Sequence, residues 1–210
     1  MTNPRAGNPA CTYQLTAAGG CAPPALLFDA AILSLAVRVF WVYAVLIAAA
    51  IVWNGIAGSA GPGVWAGSIG AGLALWTLLE YLIHRFAFHR FAPHWEHHSQ
   101  PEEWAYIFAP LWLSLGASAI LWPLCSWAAG AWMRGALVLA GIMLGYVAYE
   151  GVHVWIHGGR NGGALLVALR RHHFYHHFAD DTTCFGVVTP FWDRIFGSMP
   201  KPVPAEQRRA

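Results

Sequence analysis

Four long apolar stretches, residues 39–57, 64–83, 105–129 and 136–156, are separated along this chain by short breaks and one long polar connection. A helix needs about 20 residues to cross a hydrocarbon layer of roughly 30 Å, so each stretch predicts a transmembrane helix. Residues 26–38 carry Asp29 and Arg38 and read either as an interfacial amphipathic helix or as an early extension of the first span. Gly61, Pro62 and Gly63 predict a tight turn between the first two spans, and residues 129–134 are nearly as short between the last two. The pattern therefore predicts an all-α integral membrane fold with four transmembrane helices in two hairpins. Both short turns then lie on one side of the membrane, and residues 85–104 with everything after His157 lie on the other.

Beyond a Gly-rich break at residues 158–163, residues 164–177 predict a helix too short and too charged to span. Residues 182–199 mix β-branched and aromatic side chains with Gly186, Pro190 and Gly197, and are expected to wrap against the helices. The organisation predicted is a flexible N-terminal tail (1–25), one membrane domain (26–199) and a C-terminal tail (200–210).

Composition sharpens the membrane reading. Of the 210 residues 57% are apolar and 10% charged, with a mean hydropathy of +0.45, too apolar for a soluble domain of this size. Twelve Trp, seven Tyr and eleven Phe suit two membrane–water boundaries. A formal charge of +2, with no basic run longer than Arg170 and Arg171, excludes nucleic acid as the expected partner. Eleven of the twelve Lys and Arg residues fall on the side of the long connection, leaving Arg134 alone opposite, which marks that side and both termini as cytosolic. Residues 1–25 hold no apolar core resembling a signal peptide. Cys11, Cys21, Cys125 and Cys184 are scattered and draw neither a zinc ribbon nor a disulfide framework.

Candidate chemistry lies in the histidines. Ten of the eleven fall in four clusters: His84 and His89; His94, His97 and His98; His153 and His157; His173, His176 and His177. Imidazole is the commonest protein ligand for transition metals and is costly to bury without a partner. On a helix, positions four apart differ by about 40°, so His153 and His157 point the same way and can hold one metal. In HWEHH, His94 lies in angle between His97 and His98, enough to grip one ion or bridge towards two, and HFYHH repeats the arrangement. His84 and His89 would diverge by about 140° on a regular helix, so either the helix ends near Arg85 or the two serve different metals. Ten imidazoles exceed the coordination places of one first-row ion, and two metals are the natural count. Glu80 and Glu150, just before two of the clusters, are candidates to soften the metals' charge from outside the ligand set. His172 falls outside the HxxHH spacing and is read as a non-ligand.

No HExxH motif is present, which sets zinc-protease chemistry aside, and haem does not explain two HxxHH groups. The series EYLIHRFAFH, HWEHH, HVWIH and HFYHH resembles the fatty acid hydroxylase superfamily of membrane di-metal oxygenases, nearest to fatty acid 2-hydroxylases, and CFGVVTPFWDRIFG resembles the region after their last cluster. The likeness covers residues 76–199. It implies four transmembrane helices under a cytosolic helical cap, with a di-metal centre held by the ten clustered histidines that hydroxylates C2 of a fatty acyl chain, free or in a sphingolipid. Only four residues separate His89 from His94, a shorter connection than in the eukaryotic 2-hydroxylases and closer to that of carotenoid hydroxylases, so a carotenoid or sterol substrate stays as the alternative. No cytochrome b5 signature is fused to this sequence, which implies a separate electron donor such as cytochrome b5 or ferredoxin.

Breaking an unactivated C–H bond needs an oxidant stronger than any side chain, so two iron ions with O2 as co-substrate are expected. Zinc would fill the same sites inactively. Trp104, Tyr106, Phe174, Tyr175 and Phe185 are candidates for the acyl entrance. The expected setting is a multi-pass membrane protein of a bacterial inner membrane, or of the endoplasmic reticulum in a eukaryote. A metal carrier or sensor is the non-enzyme alternative, disfavoured because the second, third and fourth spans hold no Asp, Glu, Lys or Arg beyond Glu80 and Glu150 near their cytosolic ends.

Overall fold

The computed structural model describes residues 30–58, 60–101, 103–158 and 162–200, without the side chains of residues 30–36 and 104. The two predicted tails, Pro200 apart, lie outside the described residues. Among the described residues every regular element is helical. Helix α1 runs unbroken over Ala30–Ile56, so the described part of the stretch before the first span is its extension and not a separate interfacial helix. Helix α2 covers Pro62–Leu82, with proline in its first turn, where a missing N–H costs nothing. It continues through a π-helical turn at Ile83–Ala87 and a short 3₁₀ turn at Phe88–Arg90.

Helix α3 is Ala92–Ser99, α4 is Leu111–Ala129, and α5 is Trp132–Gly158. Helix α4 starts later than the hydropathy predicts. Proline disfavours helical backbone in the residue before it, and Pro110 itself sits at ψ 130°. It ends at Gly130, whose φ of 67° is left-handed backbone that glycine adopts freely. Helices α6 (Ala164–Phe178) and α7 (Phe191–Ile195) complete the fold.

Among the described residues, four helices are long and apolar enough to span a membrane. They do not pack as two separate hairpins. Helix α5 is the hub, touching α2, α4 and α1, and 61% of its span is buried against at most 17% in any other. Helix α1 meets it through Tyr43 against Tyr146, ring centroids 5.0 Å apart. Small residues let α2 and α5 cross closely, as is common between membrane helices: a Cβ on Gly72 would stand 2.0 Å from the Val138 carbonyl oxygen, and one on Gly141 2.2 Å from that of Ile69. Outward-facing Trp41, Ile56, Ile120 and Trp127 leave large apolar surface uncovered, which suits lipid and not water. Helices α3, α6 and α7 gather where α2 and α5 finish, and the histidines meet there.

Candidate metal centre

The ten clustered imidazoles converge in two groups of five, the nitrogens of each lying within 4.8 Å of one another. One group takes His84, His89, His94, His98 and His176; the other takes His97, His153, His157, His173 and His177. Helical geometry explains the division. In each HxxHH segment the residues four apart share a side, and the residue between them turns about 60° the other way. His94 and His98 thus enter one group with His97 in the other, while His173 and His177 enter the second with His176 in the first. The groups abut, with the rings of His98 and His177 stacked at 4.3 Å.

His84 and His89 join the same group, contrary to both readings of their spacing. The helix does not end at Arg85. It widens there into the π turn, in which the Phe88 N–H donates to the Ile83 carbonyl five residues back. That turn brings positions five apart to nearly the same side, and π turns recur at functional sites.

A loop absent from any periodic pattern fixes the rings. His84 Nδ1 donates to the Phe185 carbonyl at 2.5 Å, and His176 Nδ1 to the Thr183 carbonyl at 2.6 Å, which aims each Nε2 inward. The loop is tied to buried Asp193, whose carboxylate accepts from the N–H groups of Phe185 and Gly186, both at 2.9 Å, from Ser198 Oγ at 2.7 Å, and from His172 Nε2 at 3.0 Å. Residues 182–199 therefore wrap against the helices as their composition predicts. His172 lies in neither group and braces Asp193. Burial raises the Asp193 carboxyl, but its hydrogen bonds from His172, Ser198 and Gly186 outweigh that and hold it below the usual range.

Glu80 and Glu150 hydrogen-bond to loop backbone, and among the described residues no hydrogen bond joins either to an imidazole. Glu80 Oε1 accepts from the Val187 and Val188 N–H groups at 2.5 and 3.1 Å, and Glu150 Oε1 from the Ala109 N–H at 3.4 Å. These carboxylates clamp loops to α2 and α5, and carbonyls of the loop backbone meet the outer ring nitrogens. Sequence reasoning missed Asp193 and these carbonyls; the Trp-Asp pair after the last cluster was the signal nearest to them.

The donor set fits a pair of first-row transition ions. Two imidazole nitrogens bound side by side to one ion at about 2.1 Å stand about 3.0 Å apart. His89 and His176 are 3.1 Å apart at Nε2, His94 and His98 3.1 Å, His157 and His173 3.1 Å, and His173 and His177 3.0 Å. Several buried ring nitrogens, among them His84 Nε2 and both of His97, have no hydrogen-bond partner. Burial lowers the His98 pKa to about 2 and that of His176 to about 4, and pushes His94, His97, His173 and His177 down as well, so all stay neutral and free to donate lone pairs.

Beneath the groups lies a 490 Å³ cavity between α1, α2, α4 and α5, lined mainly by apolar side chains such as Leu79, Leu113, Ile142 and Met143. A smaller gap shares Phe88, Phe91, Ala109 and Leu113 with it and reaches His94, His97 and His153, drawing on both imidazole groups. Tyr106 lines this gap, Phe185 packs on His84, His89 and His176, and Phe174 packs on His157. Tyr175 lines neither space, and the Trp104 side chain lies outside the described residues.

Four apolar helices and two abutting five-imidazole groups at one end define a polytopic helical membrane protein with a paired histidine centre. The fatty acid hydroxylase family model matches residues 69–198, and the chain belongs to that family. Fatty acid 2-hydroxylase of Homo sapiens is 34% identical over 143 residues, covering 61% of this chain and 38% of that protein. A dihydroceramide fatty acyl 2-hydroxylase of Arabidopsis thaliana is 28% identical over 140 residues, covering 61% of this chain and 59% of that protein. The solved structure of scs7p, in which only the hydroxylase domain is visible, superposes with a TM-score of 0.67 at 26% identity, over 79% of this chain and 65% of that one. The chain thus spans only 38% to 59% of these two curated relatives.

Proposed function

We propose that this protein is a membrane-bound, O2-dependent lipid hydroxylase that places a hydroxyl at C2 of a fatty acyl chain, free or within a sphingolipid. One observation carries the reading: an apolar cavity between the spanning helices shares its wall with a gap lined by imidazoles of both five-membered groups. His84, His89, His94, His98 and His176 would hold one iron, and His97, His153, His157, His173 and His177 the other. When bound, the two irons supply the oxygen-activating redox chemistry that side chains lack. The residues of this chain do the rest. The cavity walls hold the acyl chain straight and dry, Phe88 and Phe91 line its passage to the gap, and the loop carbonyls hold the proton of His84 and His176 on Nδ1 and aim each Nε2 inward.

The relatives named as fatty acid and dihydroceramide 2-hydroxylases favour an acyl substrate over the carotenoid or sterol alternative. Electrons would come from a separate donor such as cytochrome b5 or ferredoxin, at the face carrying Arg85, Arg90, Arg171 and Arg194, taken as cytosolic from the charge asymmetry. The test is mass spectrometry of total lipids from cells with and without the gene, grown under 18O2. The reading expects acyl species that gain one oxygen atom drawn from O2. Gain on sterols or carotenoids would move the substrate, and altered metal content with no oxygenated lipid would favour a carrier.

A further inference from the structure

The segment after the last histidine cluster does not stay at the end of α2 but turns down along it. Its neck is pinned beside the metal centre, where the Cys184 N–H donates to the Ser198 carbonyl at 2.9 Å. Below the neck, its partners on α2 step away from the centre one turn at a time. The Phe185 carbonyl meets His84, the Val187 and Val188 N–H groups meet Glu80, and Trp192 Nε1 donates to Thr77 Oγ1 at 3.0 Å. The chain then climbs back, with the Phe196 ring stacked on Tyr81 at 5.2 Å and the Tyr81 hydroxyl hydrogen-bonded to Ser198 at 2.9 Å. From His84 down to Thr77 is seven residues of helix, about 10 Å at 1.5 Å per residue.

That depth lies within the membrane. The apolar run of α2 over residues 64–83 has the length of about 20 residues that fills the hydrocarbon layer. Thr77 is six residues, about 9 Å, inside its end. Irregular backbone survives there only where its polar groups are satisfied within the protein. Glu80 accepts from Val187 and Val188, Thr189 Oγ1 accepts from the Phe191 N–H at 3.2 Å, and Pro190 has no N–H to satisfy. The Arg194 and Phe196 N–H groups donate to the Pro190 and Trp192 carbonyls at 3.2 and 2.8 Å. The free side of the segment is apolar. Phe191 and Ile195, four apart and so on one side of α7, are 50% and 60% exposed, and Phe196 is 47% exposed. Arg194, exposed on the same helix, has the length to snorkel to the headgroup phosphates. We propose that residues 185–198 form a re-entrant dip seated in the bilayer, with Phe191, Ile195 and Phe196 packed on phospholipid acyl chains of the leaflet next to the metal centre. Lipid then backs the loop whose Phe185 carbonyl aims His84.

The test uses the full chain, unaltered, at one copy per phospholipid nanodisc, and compares two labels by peptide mass spectrometry. One is a phospholipid with a photoactivated diazirine in its acyl chain; the other is hydroxyl radical generated in the water. Trp41 and Ile120, 66% exposed on spanning helices, report lipid, and Trp95, 42% exposed beside His89 beyond the end of the apolar run, reports water. Phe191, Ile195 and Phe196 should carry lipid adducts as Trp41 and Ile120 do and escape the oxidation that marks Trp95. Oxidation of the three residues without lipid adducts overturns the proposal, because it places the segment in water. Protection from both labels overturns it too, since protein then covers that face. Loss of lipid adducts from Trp41 and Ile120 as well would overturn the membrane seating of the helices and the dip together.

Discussion

Asp193→Ala tests whether the loop holds the metal centre. Asp193 is fully buried and accepts four hydrogen bonds, from the Phe185 and Gly186 N–H groups, the Ser198 hydroxyl and the His172 ring. Alanine leaves two backbone N–H groups and the His172 ring N–H without an acceptor, while the Ser198 hydroxyl can still turn to Tyr81. At about 1–3 kcal/mol for each buried donor left unmatched, discounted for water entering the loop, the loss is about 3–6 kcal/mol, a large share of the stability of a typical domain. The damage is local, because the released segment carries the Thr183 and Phe185 carbonyls that orient His176 and His84. Both belong to one five-imidazole group. Elemental analysis and thermal unfolding of the purified protein should show bound metal falling from two ions per chain towards one, together with a lower unfolding midpoint. Asp193→Asn, which keeps shape and one acceptor oxygen, should fall between. An alanine variant with both ions and an unchanged midpoint would refute the reasoning.

Other outcomes follow from the same geometry. His97→Ala and His176→Ala each remove one imidazole of five and should abolish lipid hydroxylation in a product assay, whereas His172→Ala, acting only through Asp193, should retain most of it; equal loss in all three would show that His172 belongs to the centre. Metal-free protein should lose stability on acidification. An imidazole with a pKa of 6.5 when unfolded and about 4 when folded, as at His176, contributes fully above pH 6.5 and loses up to about 1.4 kcal/mol per pH unit below it, down to about pH 4. Denaturant titration from pH 7.5 to 4.5 checks this, and a flat profile would contradict it. Gly72→Ala puts a methyl against the Val138 carbonyl, and should cost on the order of 2 kcal/mol in unfolding measurements by parting α2 from α5. Zinc exchanged for iron should preserve folding and end turnover, read by unfolding midpoint and product formation together.

Hydropathy and histidine spacing carried most of the architecture, because a 20-residue apolar helix and a four-residue imidazole repeat are both set by local geometry. The division of each HxxHH segment between two groups was half visible, since its roughly 100° arc reaches two ions but does not say which histidine faces which. What stayed hidden depends on contacts distant in sequence. The π turn between His84 and His89 exists where α2 leaves the membrane beneath the loop around Phe185, and no periodicity encodes it. The hub role of α5 was equally invisible to hydropathy, which scores the four spans alike; Gly141 and Gly145, against Ile69 and Trp76, were the trace it left. Glu80 and Glu150 stood at the right turns of the right helices, yet loop N–H groups reach them first.

The central claim is that two groups of five imidazoles hold a pair of irons beside an apolar cavity. Iron content and Mössbauer spectra of active protein in nanodiscs test it most directly. The account predicts two irons per chain in nitrogen-rich surroundings, both lost with His176→Ala and His97→Ala combined. Undiminished lipid hydroxylation by protein holding one iron or none would contradict it.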